Sequence, residues 1–388
     1  MGEVVIVSAA RTAIAKENGS LRDVPPEKFA GLVIREAVKR AGIQPEEVEE
    51  VVFGHCLGAV GCMARVALLE AGLPQATPGL TIDRQCGSGV EAINRGAMMI
   101  MSGQAEIVVA GGVESMTRQP YLMQKPTSAY QRVAPPFIRR TLSTESIGDP
   151  PMGITAENVA EKYNVSREDQ DKFGYLSQQK AAAAIKEGRF KEQIVPVVIP
   201  QKKGEPIVFD TDEHPRSDTT LEKMAQLSPA FKKGGSVTAA NSSGINDGAG
   251  AVVLMERTVA EKKGLKPMAR IVAFAAAGVD PNIMGMGPVP ATQKALAKAG
   301  LKVEDIDIFE LNEAFASQAL ACMRELGIGM DKVNPNGGAI ALGHPIAGSL
   351  AILTVKMIYE LQRQQARYGV ITACCGGGQG VATILERL

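Results

Sequence analysis

Ala37-Val-Lys-Arg-Ala-Gly-Ile-Gln-Pro-Glu-Glu-Val48 leads into a short apolar run, Val51-Val-Phe53, and a second passage reads the same way. There, Ala295-Leu-Ala-Lys-Ala-Gly-Leu-Lys-Val-Glu-Asp-Ile306 leads into Ile308-Phe-Glu-Leu311. Gly42 and Gly300 stand 258 residues apart, and so do Glu46 and Glu304. Each passage spells a helix closed by glycine, a short turn and a strand. The same offset carries Cys86 onto His344, each opening a helix after a strand-ending or glycine-rich stretch, with Pro345 suited to a first helical position. A further strand follows each helix, Glu106-Ile-Val-Val-Ala110 in one half and Tyr368-Gly-Val-Ile-Thr-Ala373 in the other. One match is within the reach of chance. The ordered series predicts two copies of one α/β unit about a pseudo-twofold axis, with Cys86 and His344 facing each other across it.

Around Cys86 the sequence reads as a strand, Gly79-Leu-Thr-Ile82, then Cys86-Gly-Ser-Gly89, then a long amphipathic run from Val90. Ser88 and Glu91 have the spacing of a capping box, which predicts a helix starting at about Ser88. A thiol at a helix N-terminus meets free amides and the positive end of the macrodipole, an environment expected to favour the thiolate. The glycines allow a substrate close to the backbone. Together these make a covalent-catalysis element. The plain alternative is a small buried cysteine, a common fate for this residue.

Between the halves, roughly from Ser115 to Asn241, the text changes character. Residues 116–144 hold Arg118, Lys125, Arg132, Arg139 and Arg140 with no acidic residue, and carry Pro120, Pro126, Pro135 and Pro136. This predicts irregular loop. Ser166 and Asp169 then box the start of a helix that Gly188 closes. The segment reads as an insertion capping one face of the core. Its basic run suits an anionic ligand, a partner subunit or plain solvent.

Length and composition narrow the rest. A chain of 388 residues with 45% hydrophobic and 22% charged residues has ample material for two or more core units. Forty-two basic residues balance 42 acidic ones, tryptophan is absent and aromatics make up 4%, so nothing suggests nucleic acid or a stacking platform. Cys56, Cys62, Cys86, Cys322, Cys374 and Cys375 show no zinc or redox-pair spacing, and no metal site is expected. Their scatter fits reduced thiols. No leader or membrane-length apolar run is read, so a cytoplasmic location without membrane association is expected.

Taken in order, the motifs resemble those of the thiolases. They are Val5-Ile-Val-Ser-Ala-Ala-Arg-Thr12, Gln85-Cys-Gly-Ser-Gly89, Val109-Ala-Gly-Gly-Val-Glu-Ser-Met116, Asn241-Ser-Ser-Gly-Ile-Asn-Asp-Gly248, Asn312-Glu-Ala-Phe-Ala316, Gly337-Gly-Ala-Ile-Ala-Leu-Gly-His-Pro345 and Cys374-Cys-Gly-Gly-Gly-Gln-Gly380. The likeness runs the whole length. It implies cleavage of 3-oxoacyl-CoA thioesters by CoA, and the reverse Claisen condensation, through an acyl-cysteine in a ping-pong scheme. Such chemistry needs a nucleophile, an α-carbon base and donors for two oxyanions.

By the resemblance, Cys86 is the acylated nucleophile, His344 activates it and lines an oxyanion hole, and Asn312, at a helix start, holds a water in that hole. Cys374 is the second, acid/base cysteine, and Gly376 supplies an amide to the other hole with that of Cys86. By strand alternation Cys375 turns away as buried filler. Met152, Arg216, Phe231 and Ser243 fall at CoA contacts, while Ala314, Phe315 and Ile346 wall the thioester end. For the two phenylalanines, ordinary core packing is an equal reading, and a histidine before proline is by itself often only a structural hydrogen-bonder.

The implied fold is five-layered α/β/α/β/α, with one half over 1–115 completed by about 242–266, an inserted loop domain over 116–241 and a second half over 267–388. No cofactor is expected to stay bound, CoA being a substrate, and a homodimer or homotetramer is implied. Two stretches depart from the family. Ile346-Ala-Gly-Ser-Leu350 has an unusual order after the histidine, expected to alter either helix packing or the acyl pocket. Pro150-Pro-Met-Gly-Ile-Thr155 lacks the histidine common before Met-Gly in acetyl-specific members, so it leans to the degradative, broader-chain subtype, as do Phe309-Glu-Leu-Asn-Glu313 and Ile283-Met-Gly-Met-Gly-Pro288. The alternatives are an acetyl-CoA acetyltransferase forming acetoacetyl-CoA, a non-catalytic acyl-CoA or lipid-binding relative, and a ketoacyl-carrier-protein synthase, which would not normally bring the Cys374 motif.

Overall fold

A computed structural model describes residues 2–130 and 133–388. The chain opens with β1 (Val4–Arg11) and β2 (Ala15–Lys16), then α1 (Pro26–Ala41), β3 (Glu50–Gly54), α2 (Met63–Ala71), β4 (Gly79–Ile82), α3 (Ser88–Met101) and β5 (Ile107–Ser115). Small elements follow: β6 (Leu122–Met123), β7 (Phe137–Ile138), α4 (Met152–Lys162), α5 (Arg167–Lys186), β8 (Val197–Ile199), β9 (Ile207–Phe209) and α6 (Leu221–Ala225). Next come β10 (Asn246–Glu256), α7 (Arg257–Lys262), β11 (Ala269–Gly278), α8 (Pro288–Ala299), β12 (Ile308–Leu311), α9 (Ala316–Leu326), α10 (Ala339–Leu342), α11 (Ile346–Gln364), β13 (Tyr368–Cys375) and β14 (Gln379–Arg387).

The repeat is real in three dimensions. Helix α1 is closed by Gly42 at φ 68° and α8 by Gly300 at φ 66°, the left-handed geometry that glycine adopts without strain. Short 3₁₀ turns at Pro45–Glu47 and Val303–Asp305 follow, then β3 and β12. The strand order β12-β13-β14-β11-β1-β10-β5-β3-β4 reads outward from the central β11/β1 pair as the same series twice, with β4 extra. Val5↔Arg270 and Ile6↔Ala269 join the two halves there.

Three apolar layers separate the elements. Helices α1 and α2 cover one face of the first half-sheet through Phe29, Val33, Met63 and Leu68. Helices α3 and α11 lie between the half-sheets, Ile93 and Ile358 packing with Val108 and Leu254 on one side and Ile371 and Leu385 on the other. Helices α8 and α9 cover the far face of the second half. Alternation along the strands delivers this: Val109 faces the first layer and Val108 the second. The fold is the five-layered α/β/α/β/α arrangement. Among the described residues no helix is long and apolar enough to cross a membrane.

Several sequence expectations need correction. Pro345 is the N-cap of α11, one position before the first helical residue. Asn312 follows β12 directly, but the next helix begins at Ala316, because Phe315 stays extended and bridges to Ser242. Leu350 is fully buried in the central layer, so its departure from the family alters helix packing rather than the acyl pocket.

In the segment between the halves, Ser166 caps α5 as its spacing implied, its Oγ accepting from Asp169 N–H at 3.0 Å. The residues read as plain loop contain a small hairpin, Leu122↔Ile138 and Met123↔Phe137. Three of its arginines are committed to protein partners. Arg118 donates to Arg22 O, Arg139 pairs with Asp149 at 2.9 Å, and Arg140 donates to Cys56 O and Leu57 O. Arg132, named with them from the sequence, lies outside the described residues.

Candidate active site

Cys86 stands in a 3₁₀ turn, Gln85–Gly87, between β4 and α3, and Gln85 takes φ 49° to make the bend. Helix α3 begins at Ser88, but the capping box does not form. Ser88 Oγ instead donates to Gln85 O at 2.6 Å and accepts from Arg84 N–H at 2.8 Å, while Glu91 pairs with Arg84 and Arg95. The hydroxyl thus braces the nucleophile's own turn. Gly87 is required here, since a Cβ would stand 2.7 Å from Cys375 Sγ.

The amides expected to make a thiolate are present but outweighed. Burial pushes the Cys86 thiol up to about 11, against hydrogen bonds from the Gly376 and Cys86 amides, and the charges of Glu114 and Asp83 push the same way. The resting residue is a thiol.

His344 reaches it from the other half. Its Nε2 lies 3.2 Å from Cys86 Sγ, and its Nδ1 lies 2.6 Å from Ser349 Oγ. Asn312 Nδ2 approaches Nε2 at 3.5 Å. Burial lowers the imidazole to about 4, so thiol and imidazole rest as a neutral pair. The turn before the histidine is set by Gly343 at φ 105°, where a side chain would be strained and would meet the Asn246 amide. Asn246 Oδ1 accepts from His344 N–H at 2.9 Å.

Neither Ser349 nor Asn246 was singled out from the sequence. Ser349 sits one helical turn past Pro345, a spacing that returns its hydroxyl to the ring, and Asn246 lies inside the quoted Asn241–Gly248 motif.

The two neighbouring cysteines part company as alternation requires. Cys374 joins an apolar cluster with Ala156, Val237, Met284, Ala314 and Phe315, against which Met152 packs. Cys375 enters the central helical layer behind Gly87. Burial, then the charges of Cys86 and the other cysteines, raises the Cys374 thiol well above its ordinary range. Ile346 packs with Cys56, Leu57 and Ala347, apart from Ala314 and Phe315.

A cleft of about 640 Å³ adjoins this cluster, and Arg216, Phe231 and Ser243 all line it. Phe231 is 44% exposed and meets the buried Phe315 edge-on at 6.2 Å, so it faces open space where core packing had been an equal reading. Gln178 Oε1 accepts from Arg216 N–H at 2.8 Å, and Ser243 N–H donates to Ala314 O. Lys16 and His214 line the same cleft and were not picked out from sequence.

Comparison with known proteins gives the family. Residues 4–258 match the family described as "Thiolase, N-terminal domain" and residues 265–387 that described as "Thiolase, C-terminal domain". An acetyl-CoA acetyltransferase of Chromobacterium violaceum is 49% identical, covering 99% of this chain and 100% of its own length. A beta-ketothiolase of Cupriavidus necator is 48% identical, covering 100% and 99%. Among solved structures, the Bacillus anthracis acetyl-CoA acetyltransferase is 47% identical with a TM-score of 0.96, covering 100% of this chain and 99% of that one. Human mitochondrial 3-ketoacyl-CoA thiolase is 40% identical with a TM-score of 0.95 and the same coverage.

Proposed function

The chain belongs to the thiolase family, and from that premise we propose that it cleaves 3-oxoacyl-CoA with CoA, and runs the reverse condensation, through an acyl-Cys86 intermediate. The contact of Cys86 Sγ with His344 Nε2 at 3.2 Å, made by residues 258 apart in sequence, carries this reading.

In cleavage, His344 takes the thiol proton as sulfur attacks the C3 ketone, the Gly376 and Cys86 amides hold the oxyanion formed at C3, and Asn312 with His344 answers the enolate oxygen that forms as acetyl-CoA leaves. The C2–C3 bond then breaks, and its electron pair leaves on the α-carbon of acetyl-CoA, which takes the Cys374 proton. In the second half, the CoA thiol passes its proton to the Cys374 thiolate and attacks the acyl carbonyl, with the Gly376 and Cys86 amides holding the oxyanion. Cys86 departs and recovers its proton from His344. Because thiol and imidazole rest neutral, charge separation belongs to the reacting complex, where an electrostatic site is most effective.

The 640 Å³ cleft suits the CoA arm, with Arg216 and Lys16 facing its phosphates or adenine, Ser243 its pantetheine amides and Phe231 its thioester end. CoA enters as a substrate, and no resident cofactor or metal takes part. The residues 116–241 are read as an insertion between halves 1–115, completed by about 242–266, and 267–388. A homodimer or homotetramer in the cytoplasm, serving fatty-acid metabolism, completes the reading.

Pro151 favours broad-chain degradation, whereas the Chromobacterium and Bacillus relatives carry the name acetyl-CoA acetyltransferase. Specificity constants for acetoacetyl-, 3-oxohexanoyl- and 3-oxododecanoyl-CoA separate the two.

The test of mechanism is intact-protein mass spectrometry after mixing with acetoacetyl-CoA. An acetyl adduct is expected on the native chain and none on Cys86→Ala. An adduct retained by Cys86→Ala, or no adduct and no turnover with the native chain, would overturn the assignment.

A further inference from the structure

The run Asp212-Glu-His214 is fastened, residue by residue, to the loop after β1. Asp212 forms a fully buried ion pair with Arg11 at 2.8 Å and accepts from Ile14 N–H. Glu213 accepts from Lys16 N–H and Ser20 N–H, and its own N–H donates to Ile14 O. His214 is therefore presented to the cleft from a rigid base, half-buried in the wall, with Nδ1 3.3 Å from Asn246 Nδ2.

The buried Asn246 amide has one workable orientation. Its Oδ1 accepts from His344 N–H at 2.9 Å, and its Nδ2 donates to Ala15 O at 3.0 Å. Turned over, it would set donor against donor at His344 and acceptor against acceptor at Ala15. The second Nδ2 proton then faces His214 Nδ1, which must offer a lone pair. A neutral His214 accordingly carries its proton on Nε2. Gly244, also in the wall, makes room for the ring, since a Cβ there would stand 2.8 Å from Nε2.

We propose that His214 is a positioning residue that couples the cleft to the catalytic pair. Its Nε2–H meets an acceptor oxygen of bound CoA, and its Nδ1 lone pair, through Asn246, fixes the backbone amide from which the His344 ring projects. Burial, with Arg216 and Lys16 nearby and Glu213 opposing, lowers His214 to about 4, which keeps the required neutral form at ordinary pH. The coupling deepens the CoA-arm reading of the cleft and rests on it for the Nε2 contact only.

Two substitutions separate the two nitrogens. Asparagine places an acceptor where Nδ1 stands and nothing at Nε2; glutamine places a donor near Nε2 and nothing at Nδ1. His214→Gln is expected to lower both kcat and the rate of Cys86 alkylation by iodoacetamide about fivefold, the effect of one hydrogen bond, with KM for CoA little changed. His214→Asn is expected to raise KM for CoA about fivefold and to spare kcat and the alkylation rate. Unfolding midpoints near that of the native chain check that both variants fold.

Equal losses of kcat in the two variants, or an alkylation rate untouched in His214→Gln, would overturn the coupling. The alkylation rate needs no CoA. If the native chain failed to turn over, the functional reading would fall while the alkylation comparison still decided the coupling.

Discussion

At Gly54 the first half ends β3 on a residue with no side chain, whereas Asn312, at the same offset, stands just past β12 with an amide aimed at His344. The ladders extend the comparison. Val51 pairs with Val109 in one half and Phe309 with Val370 in the other, which matches Val113 to Cys374. The second half thus carries Asn312, His344 and Cys374 where the first carries Gly54, Cys86 and Val113. Gly54 has a steric reason: a Cβ there would stand 2.6 Å from the Ser88 backbone, so the turn presenting Cys86 is packed down onto β3. The partner turn starts instead from Gly343 and leaves room for Asn312. One scaffold used twice has divided its labour, the first copy giving up side chains to seat a nucleophile tightly and the second keeping the groups that move protons and hold charge.

This division can be broken from either side. Cys374→Ala makes the second half as inert at that position as Val113. It should still take an acetyl group, slowly, yet lose condensation by about a thousandfold, the scale of general acid–base catalysis. Mass spectrometry and a condensation assay read the two steps separately, and normal condensation would move the role elsewhere, to Cys375 first.

Asn312→Gly copies Gly54 directly. It should lower kcat by about a hundredfold, as for loss of one oxyanion donor. An unchanged kcat would remove Asn312 from the site.

The third test concerns the pair itself. With Cys86 pushed up to about 11 and His344 down to about 4, deprotonation of the free thiol grows only as pH rises. Alkylation of Cys86 should therefore climb steadily from pH 7 to about pH 10 without a plateau, because the thiolate is the reacting form. A plateau near neutrality would mean a resting thiolate–imidazolium pair and would undo the neutral-pair account.

Much of the architecture was legible because it rests on local signals. Gly42 and Gly300 punctuate their helices through backbone geometry alone, and the separation of Cys374 from Cys375 follows from alternation. What escaped depended on competition between partners. Ser88 and Glu91 have capping spacing, but Gln85 O lies closer to the hydroxyl and two arginines claim the carboxylate. A dipole argument for a Cys86 thiolate ignores how deeply the fold encloses the sulfur. For Leu350, close after His344 in sequence, packing and pocket were equally open readings, and only the turn of the helix places it in the central layer. Asn246 and His214 are 32 positions apart and meet because Asp212 ties the His214 segment to Arg11, whose strand pairs with β10.

The place of β1 at the middle of the sheet has a consequence for how the chain is made. Its neighbours are β10 and β11, beginning at Asn246 and Ala269. At a synthesis rate of about 5–20 residues per second, this apolar strand waits roughly 10–50 s for either edge to be paired. Its eight residues, all buried in the finished fold, spend that interval without a template. A strand left exposed through most of synthesis becomes the centre line of the mature sheet.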